Sequence, residues 1–168
     1  MINITLPDGS VRQVSEGTSA MDIAISISEG LARNVLAAKV NDEVIDANTP
    51  LTKDVTLQLL TWNDKEGKST MWHSSAHLMA EAIEALFPGV KLAIGPPVKN
   101  GFYYDVDFME YSIAESDLER IEAKMKELTK QKSTYDRTDV PKDEAVAYFK
   151  DMGEHYKAEI IGSIPSNE

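Results

Sequence analysis

Two of the chain's three histidines, His73 and His77, lie four residues apart in the stretch WHSSAHLMAEAIEALFP, residues 72–88. Residues at this spacing are neighbours on one helix face, so the sequence predicts two adjacent imidazoles. Imidazole donates and accepts protons near neutral pH and is also a common metal ligand. The small side chains of Ala76 and Ala80 leave room beside the pair. Proton transfer, substrate positioning, metal binding and purely structural hydrogen bonding are all open interpretations.

A metal site would need ligands that this pair does not supply. The usual zinc hydrolase helix carries a glutamate directly after its first histidine, and Ser74 occupies that position here. The chain has no cysteine, and the third histidine, His155, lies far along the sequence. Metal binding is therefore the least favoured of these interpretations. The catalytic and structural interpretations remain open on the pair alone.

Other residues with suitable chemistry lie further along the chain. A Gly95-Pro96 turn and the paired tyrosines Tyr103 and Tyr104 could form the walls of a cleft, and Lys157 could supply a positive charge. Each also has an ordinary explanation, because strand tyrosines usually serve packing and single lysines are usually solvated. Taken with the histidines, they suggest a site without proving one.

Composition excludes several classes of protein. The chain has 168 residues, a net charge of −11 and a 42% hydrophobic fraction, which is typical of a globular protein of one or two small domains. We see neither a membrane-spanning run nor a signal peptide, and without cysteine there are no disulfides, so we expect a cytoplasmic protein. The charge disfavours broad nonspecific binding to nucleic acid, although it permits one nucleic-acid end in a locally basic cleft.

The first 62 residues predict a small sheet packed on one helix. The predicted elements are strands at 2–6, 11–14, 35–41 and 55–61, and a helix from a Ser19–Asp22 cap to about Gly30, with a loop between the last two strands. The turn sequence PDG separates the first two strands. This β-β-α-β-β order is β-grasp-like.

A polar segment, residues 63–70, predicts a linker in which Ser69 or Thr70 caps the next helix. We expect residues 71–168 to form a second α+β domain, truncated at its C-terminal side. Its predicted elements are helices at 71–86, 112–132 and 141–151 and strands at 91–94, 102–108, 134–140 and 155–161. In the strand at 102–108, Phe102, Tyr104, Val106 and Phe108 should share one face.

Longer stretches of the sequence resemble a known family. ITLPDGSVRQVSEGTSAMDIA resembles the start of a TGS module. WHSSAHLMAEAIEALFPGVKLAIGPPVKNGFYYDVDF resembles the start of the tRNA-editing domain of bacterial threonyl-tRNA synthetases, and EHYKAEII resembles the segment that carries the editing lysine, here Lys157. The resemblance covers essentially the whole chain and identifies it as similar to the N-terminal portion of these enzymes.

The resemblance implies a function for the region and for its parent protein. The parent would attach threonine to tRNA(Thr) with ATP, as a homodimer, while this region would bind the tRNA acceptor end and hydrolyse mischarged seryl-tRNA(Thr). The implied site residues are His73, His77 and Lys157 for catalysis and Tyr104, Tyr103, Gly95 and Pro96 for substrate binding. ATP and zinc would belong to a catalytic core outside this chain, which would itself need no cofactor.

The chain departs from the family pattern in one respect. The family's editing site also draws on a Cys-x-x-x-His segment and an aspartate that would follow residue 168, so we expect about half of the site and weak or no hydrolysis from this chain alone. A noncatalytic RNA-binding or regulatory module containing the TGS fold is the alternative. A metal hydrolase is a third hypothesis, which predicts inhibition by chelators.

Overall fold

The computed structural model describes residues 1–133 and 137–165. It is an α+β structure, as predicted. The chain divides into two compact units, Met1–Trp72 and His73–Glu168. The boundary between these units falls within one helix, whereas the sequence suggested a boundary at residues 63–70; the assignment of domains to 1–62 and 71–168 stays a prediction.

The first unit contains a five-stranded mixed sheet with the strand order β2-β1-β5-β3-β4. Its strands are β1 (Ile2–Thr5), β2 (Val11–Val14), β3 (Ala37–Val40), β4 (Glu43–Ile45) and β5 (Val55–Leu60). β1 and β5 run parallel, and the other neighbours run antiparallel. The β-grasp-like order is confirmed, with one correction. Residues 43–45, predicted as loop, form β4 because a turn with positive φ at Asn41 and Asp42 folds the chain back onto β3.

Helix α1 (Ala20–Ile27) packs its apolar face on this sheet. Ile4, Ile23 and Leu57 are almost completely buried there, because alternate strand residues and one helical stripe face each other. The predicted cap is confirmed: Ser19 Oγ accepts from the Asp22 amide, and the Asp22 carboxylate accepts from the Ser19 amide.

The predicted end of α1 at Gly30 is wrong. The helix ends at Ile27, and Ser28 then caps a separate short helix, α2 (Glu29–Ala32), in which Gly30 lies. The break occurs because Ser28 adopts an extended backbone and its side chain accepts from the Leu31 amide at 3.0 Å. A cap formed by a serine therefore ended α1 before the glycine was reached.

Helix α3 (Lys65–Leu86) begins well before the predicted residue 71, and neither Ser69 nor Thr70 is its cap. Residues 65–70 are therefore helical rather than an irregular linker. Their polarity does not prevent a helix, because Lys and Glu are good helix formers on a solvated face. Gly67 is buried in this first part of the helix, where it lies against the backbone of Thr61. A Cβ atom at Gly67 would lie 2.0 Å from the Thr61 carbonyl oxygen.

Because the Thr61 backbone cannot move aside cheaply, Gly67→Ala should destabilise the chain by about 1–3 kcal/mol. The measurement is urea denaturation followed by the fluorescence of Trp62 and Trp72, whose rings lie 5.2 Å apart in an edge-to-face contact. Gly30→Ala is the matched control, since its added Cβ would lie 3.9 Å from the nearest atom. It should be neutral or stabilising. Equal losses of stability in both variants would contradict this explanation of Gly67.

In the second unit, α3 packs against a broken β-hairpin and helix α4 (Glu115–Thr129). The hairpin contains β6 (Lys91–Leu92), β7 (Pro97–Val98), β8 (Gly101–Phe102) and β9 (Val106–Asp107), in which β6 pairs with β9 and β7 pairs with β8. Continuous strands at 91–94 and 102–108 are therefore wrong. The predicted alternation is confirmed: Phe102, Tyr104, Val106 and Phe108 are half-buried, whereas Tyr103, Asp105 and Asp107 are exposed.

Helix α4 starts at Glu115 rather than 112, and it ends at Thr129 rather than about 132. Ser112 is not its cap. The Asp117 carboxylate instead accepts from the Ala114 amide at 3.0 Å, and this hydrogen bond is the main cause that lowers the Asp117 pKa, followed by Arg120. The predicted helix after Pro141 is confirmed as α5 (Lys142–Asp151).

The strand predicted at 155–161 is wrong, because these residues form helix α6 (His155–Ser163). A strand would place Tyr156, Ala158 and Ile160 on one face, yet of these three only Ala158 is buried. The segment packs on α5 and β6, and it contains the good helix formers Lys, Ala and Glu. Of the strand predicted at 134–140, residues 134–136 lie outside the described residues, and residues 137–140 form no strand.

Within the two described ranges, no helix has both the length and the apolar character that a membrane crossing requires.

Candidate functional site

The two histidines predicted to be neighbours face each other on α3. The Nε2 atoms of His73 and His77 lie 3.0 Å apart, and the rings stack with centroids 4.8 Å apart and planes inclined by 26°. The helix itself positions them, and Ala76, which lies beside them in the sequence, is completely buried. Only one hydrogen can lie between two nitrogens, so one imidazole donates while the other accepts.

Three effects lower the pKa of His77. Partial desolvation of the ring contributes most, followed by the neighbouring His73 and then the positive charge of Lys157. Each disfavours the imidazolium form. His77 is therefore uncharged at neutral pH, and as a residue it remains exposed to solvent. A neutral, accessible imidazole can accept a proton from a bound water or hydroxyl group.

Tyr104 lies in the interruption between β8 and β9, where its ring covers Gly95. A Cβ atom at Gly95 would lie 2.2 Å from Tyr104 Cδ2, so only glycine permits this contact. The flanking backbone is held by two hydrogen bonds, from the Ala93 amide to the Asp105 carbonyl at 3.0 Å and from the Asp105 amide to the Ile94 carbonyl at 2.9 Å. The backbone that carries the Tyr104 ring is thus held by the hairpin.

Burial raises the pKa of Tyr104, and the carboxylates of Glu84 and Glu154 add to that effect while Lys157 opposes it. Glu84 lies on α3, seven residues beyond His77 and therefore on the same helix face. The Tyr104 hydroxyl remains protonated at neutral pH, so it can donate a hydrogen bond to a ligand.

Lys157 lies near the start of α6. Its Nζ lies 3.3 Å from Glu154 Oε2 and 5.9 Å from the centre of the Phe149 ring. Helix α6 packs on β6, and Tyr104 lines a cavity with Met79 and Ile83 of α3. The Lys157 charge lowers the pKa of both His77 and Tyr104, in agreement with this packing. Because α6 is a helix, Glu154 and Lys157 meet across one turn.

The structure brings together most of the predicted site residues. His73, His77, Tyr104, Gly95 and Lys157 form one group, which we call the histidine–lysine site. Tyr103, the alternative to Tyr104, is 48% exposed on the opposite strand face and lies outside this group. Pro96 is half-buried beside Gly95. The functional roles of all seven residues stay predictions.

Sequence reasoning missed two charged members of this neighbourhood, Glu84 and Glu154. Glu84 was visible as a member of the helical stripe that carries the histidines. Glu154 could have been found from its position three residues before Lys157, had that segment been interpreted as a helix.

The histidine–lysine site does not fit a zinc ion. Zinc sites take three or four protein ligands, and the pair supplies two. In the described part of the chain, no group of three or more His, Asp or Glu side chains converges in a way that could hold a metal. The absence of a metal requirement stays a prediction, as does the absence of a cofactor.

Comparison with known families identifies the domain family of the first unit. Residues 2–61 match the family model of the TGS domain. Residues 2–61 form a TGS domain. The β-grasp-like sheet with α1 across it is the fold of that domain.

Similarity to individual proteins extends beyond the TGS domain to the whole chain. The chain is 60% identical over 161 residues to a threonine–tRNA ligase from Cytophaga hutchinsonii, which is 96% of this chain and 25% of that protein. It is 54% identical to the enzyme of that name from Parabacteroides distasonis over 98% of this chain and 25% of the relative. It is 46% identical to the enzyme of that name from Clostridioides difficile over 100% of this chain and 26% of the relative.

The resemblance to threonine–tRNA ligases is therefore confirmed. The chain spans about a quarter of the length of these curated relatives, and the part it matches is their N-terminal quarter. The relatives are named for joining threonine to tRNA. Their names do not say what the region matched here contributes.

Proposed function

We propose that this region hydrolyses seryl-tRNA(Thr), within a cytoplasmic homodimeric protein that attaches threonine to tRNA(Thr) with ATP. The observation that carries the proposal is the pair of facing Nε2 atoms of His73 and His77, 3.0 Å apart, in the same neighbourhood as Lys157. The similarity to threonine–tRNA ligases supplies the substrate class.

Such a protein needs a second site for a physical reason. Serine lacks one methyl group of threonine, and a methyl in a pocket discriminates by only about 1–3 kcal/mol. A synthetic site large enough for threonine therefore accepts serine at a measurable rate. A separate hydrolytic site that is too small for the threonine methyl removes the error, since seryl-tRNA enters it and threonyl-tRNA does not.

The side chains of the histidine–lysine site suit ester hydrolysis. A water molecule must attack the ester carbonyl carbon, the carbon–oxygen bond to the terminal ribose must break, and the ribose oxygen must receive a proton. Neutral His77 can accept a proton from the attacking water, and the linked His73 can hold or return it. The Lys157 ammonium can stabilise negative charge that develops on the carbonyl oxygen.

The remaining members of the site bind and orient. Tyr104, with its hydroxyl protonated, can donate a hydrogen bond to the terminal adenosine or to the aminoacyl group, and its ring forms one wall of the pocket. Gly95 permits this position of the Tyr104 ring, because it has no Cβ atom to collide with the ring. A wall fixed by the hairpin backbone is what exclusion of a single methyl requires, because a mobile ring would yield to it.

The test compares hydrolysis of seryl-tRNA(Thr) and threonyl-tRNA(Thr). Two proteins are needed: residues 1–168, and a longer chain that includes the Cys-x-x-x-His segment which the resemblance implies. We expect the longer chain to hydrolyse seryl-tRNA at least about tenfold faster than threonyl-tRNA, as one methyl permits. We expect residues 1–168 alone to show weak or no hydrolysis. A longer chain that hydrolyses neither substrate would overturn the proposal.

A noncatalytic RNA-binding module is the second candidate, and the TGS domain at residues 2–61 favours it. It predicts that the longer chain binds tRNA(Thr) with the same affinity after both histidines are replaced, without any hydrolysis in either form. The two proposals therefore differ in whether seryl-tRNA is consumed.

A further inference from the structure

We propose that Glu154 is a positioning residue that holds Lys157 in the histidine–lysine site; as regards catalysis, this rests on the function proposed above. The two side chains meet at 3.3 Å across the first turn of α6. Nothing in the similarity to known proteins assigns a role to Glu154, and its type and spacing become meaningful only once residues 155–163 are seen to be helical.

Both side chains of this ion pair are largely shielded from water, which distinguishes it from the exposed pairs Arg33–Glu29 and Lys126–Glu122. The Glu154 side chain is 12% exposed and that of Lys157 is 30% exposed. The pairs Arg33–Glu29 and Lys126–Glu122 are exposed by two thirds or more on both sides. Exposed pairs of that kind contribute little, because water competes for both charges. A largely buried carboxylate instead needs its cation, so Glu154 fixes where the Lys157 ammonium lies.

Glu154 is itself anchored by the backbone. Its amide donates to the Phe149 carbonyl at 2.8 Å, and Lys91 Nζ donates to the carbonyl of the preceding Gly153 at 3.0 Å. These bonds tie the start of α6 to α5 and to β6. The backbone of Glu154 is therefore held in place. Without its ion pair to Glu154, the long Lys157 side chain would sample several rotamers.

The pair also explains how one lysine can serve two neighbours. The Lys157 charge acts on His77 and on Tyr104, and the Glu154 charge acts on Tyr104 in the opposite sense. Glu154 thus holds the ammonium near the reacting groups and partly offsets its charge at the tyrosine. In this way Glu154 acts on the reaction through Lys157 and does not need to contact the substrate.

The decisive measurement is the pKa of His77, obtained from its ring signals in an NMR titration of residues 1–168 that carry Glu154→Gln. The charged groups that act on His77 are His73 of α3 and Lys157 of α6. If Glu154 positions Lys157, the glutamine variant releases the lysine, the repulsion falls and the His77 pKa rises. If Lys157 stays in place without Glu154, loss of a negative charge can only lower that pKa or leave it unchanged. A rise in the His77 pKa therefore supports the role of Glu154, and a fall or no change contradicts it.

Three further variants complete the titration. Lys157→Met should raise the His77 pKa, and adding Glu154→Gln to it should change nothing further. Glu127→Gln is the matched control, since Glu127 forms an i,i+3 pair with Lys124 at 2.8 Å on α4, and it should leave His77 unchanged. Circular dichroism establishes that each variant is folded. If Glu154→Gln is not folded, Glu154→Asp replaces it. The aspartate carboxylate is one methylene too short to reach Lys157, so a rise in the His77 pKa again supports the role of Glu154.

Activity gives a second, separate readout. In the longer chain, Glu154→Gln should lower kcat for seryl-tRNA hydrolysis about tenfold with KM changed less than about twofold, since a charge is displaced rather than removed. A lowered or unchanged His77 pKa would overturn the positioning of Lys157 by Glu154, and an unchanged kcat would overturn its role in hydrolysis. Should the parent hydrolyse no seryl-tRNA at all, the proposed function fails, while the titration still decides whether Glu154 positions Lys157.

Discussion

Replacing His77 with alanine is expected to lower seryl-tRNA(Thr) hydrolysis by about 100- to 10,000-fold, the usual contribution of a general acid–base group. The variant removes the ring that faces His73 Nε2 at 3.0 Å, so no proton can pass between the two imidazoles. His73→Ala should cause a loss of similar size. The two rings act as one unit, so either substitution leaves the remaining imidazole without its partner. Hydrolysis is measured in the longer chain by release of serine from tRNA.

The third histidine of the chain provides the control. His155 is exposed at the start of α6 and is not part of the pair, so His155→Ala should leave hydrolysis unchanged. Threonine activation, measured in the full-length parent protein, should survive all three substitutions. Equal loss of activation and hydrolysis would indicate a folding defect. Full hydrolysis by His77→Ala would mean that the pair is structural and that other residues carry out the hydrolysis.

Gly95→Ala is expected to reduce seryl-tRNA hydrolysis by about 100-fold, although the substitution adds only one methyl group. Its Cβ would meet Tyr104 Cδ2 at 2.2 Å and Cε2 at 2.5 Å, so the ring must move by roughly an ångström or more to restore van der Waals contact. A displacement of about 1 Å at a reacting site can cost about 10²-fold in rate. The measurement is the rate of hydrolysis of seryl-tRNA and of threonyl-tRNA, because a displaced Tyr104 ring changes both.

Gly162→Ala is the matched control, because a Cβ atom at that position of α6 meets nothing within 4 Å. It should leave hydrolysis and the NMR signals of Tyr104 unchanged. If Gly95→Ala also leaves the Tyr104 signals and the rate unchanged, the contact between Gly95 and Tyr104 does not shape the pocket, and Tyr104 loses its proposed role as a wall.

Sequence patterns predicted best where one local rule decided the structure. The strands β1, β3 and β5, the Ser19 cap and the two adjacent imidazoles followed from alternation, capping chemistry and helical spacing. Predictions failed where two rules competed. At Ser28, capping by serine ended α1 before Gly30 could, and at residues 65–70 helix propensity overrode a composition typical of linkers.

The candidate site shows the same division between local and tertiary information. Lys157 was identified on a segment expected to be a strand, and only its helical form brings Glu154 within reach of its ammonium. The contact between Gly95 and Tyr104 joins residues nine apart across an interrupted hairpin. No periodic pattern could indicate that contact, because it arises from the break between two short paired segments. Charge and proximity at the site are therefore consequences of tertiary packing.

The order of strands in the TGS domain has a consequence for how it folds during synthesis. β5 lies in the middle of the sheet, between β1 and β3, yet it is the last of the five strands to leave the ribosome. The hairpins β1–β2 and β3–β4 can close early because their partners are near in sequence, whereas Ile4 must wait for Val55. At about 5–20 residues per second, the inner edge of β1–β2 stays unpaired for about 2–9 seconds and that of β3–β4 for about 1–3 seconds. Arrival of β5 covers both edges at once, so the last strand made completes the sheet.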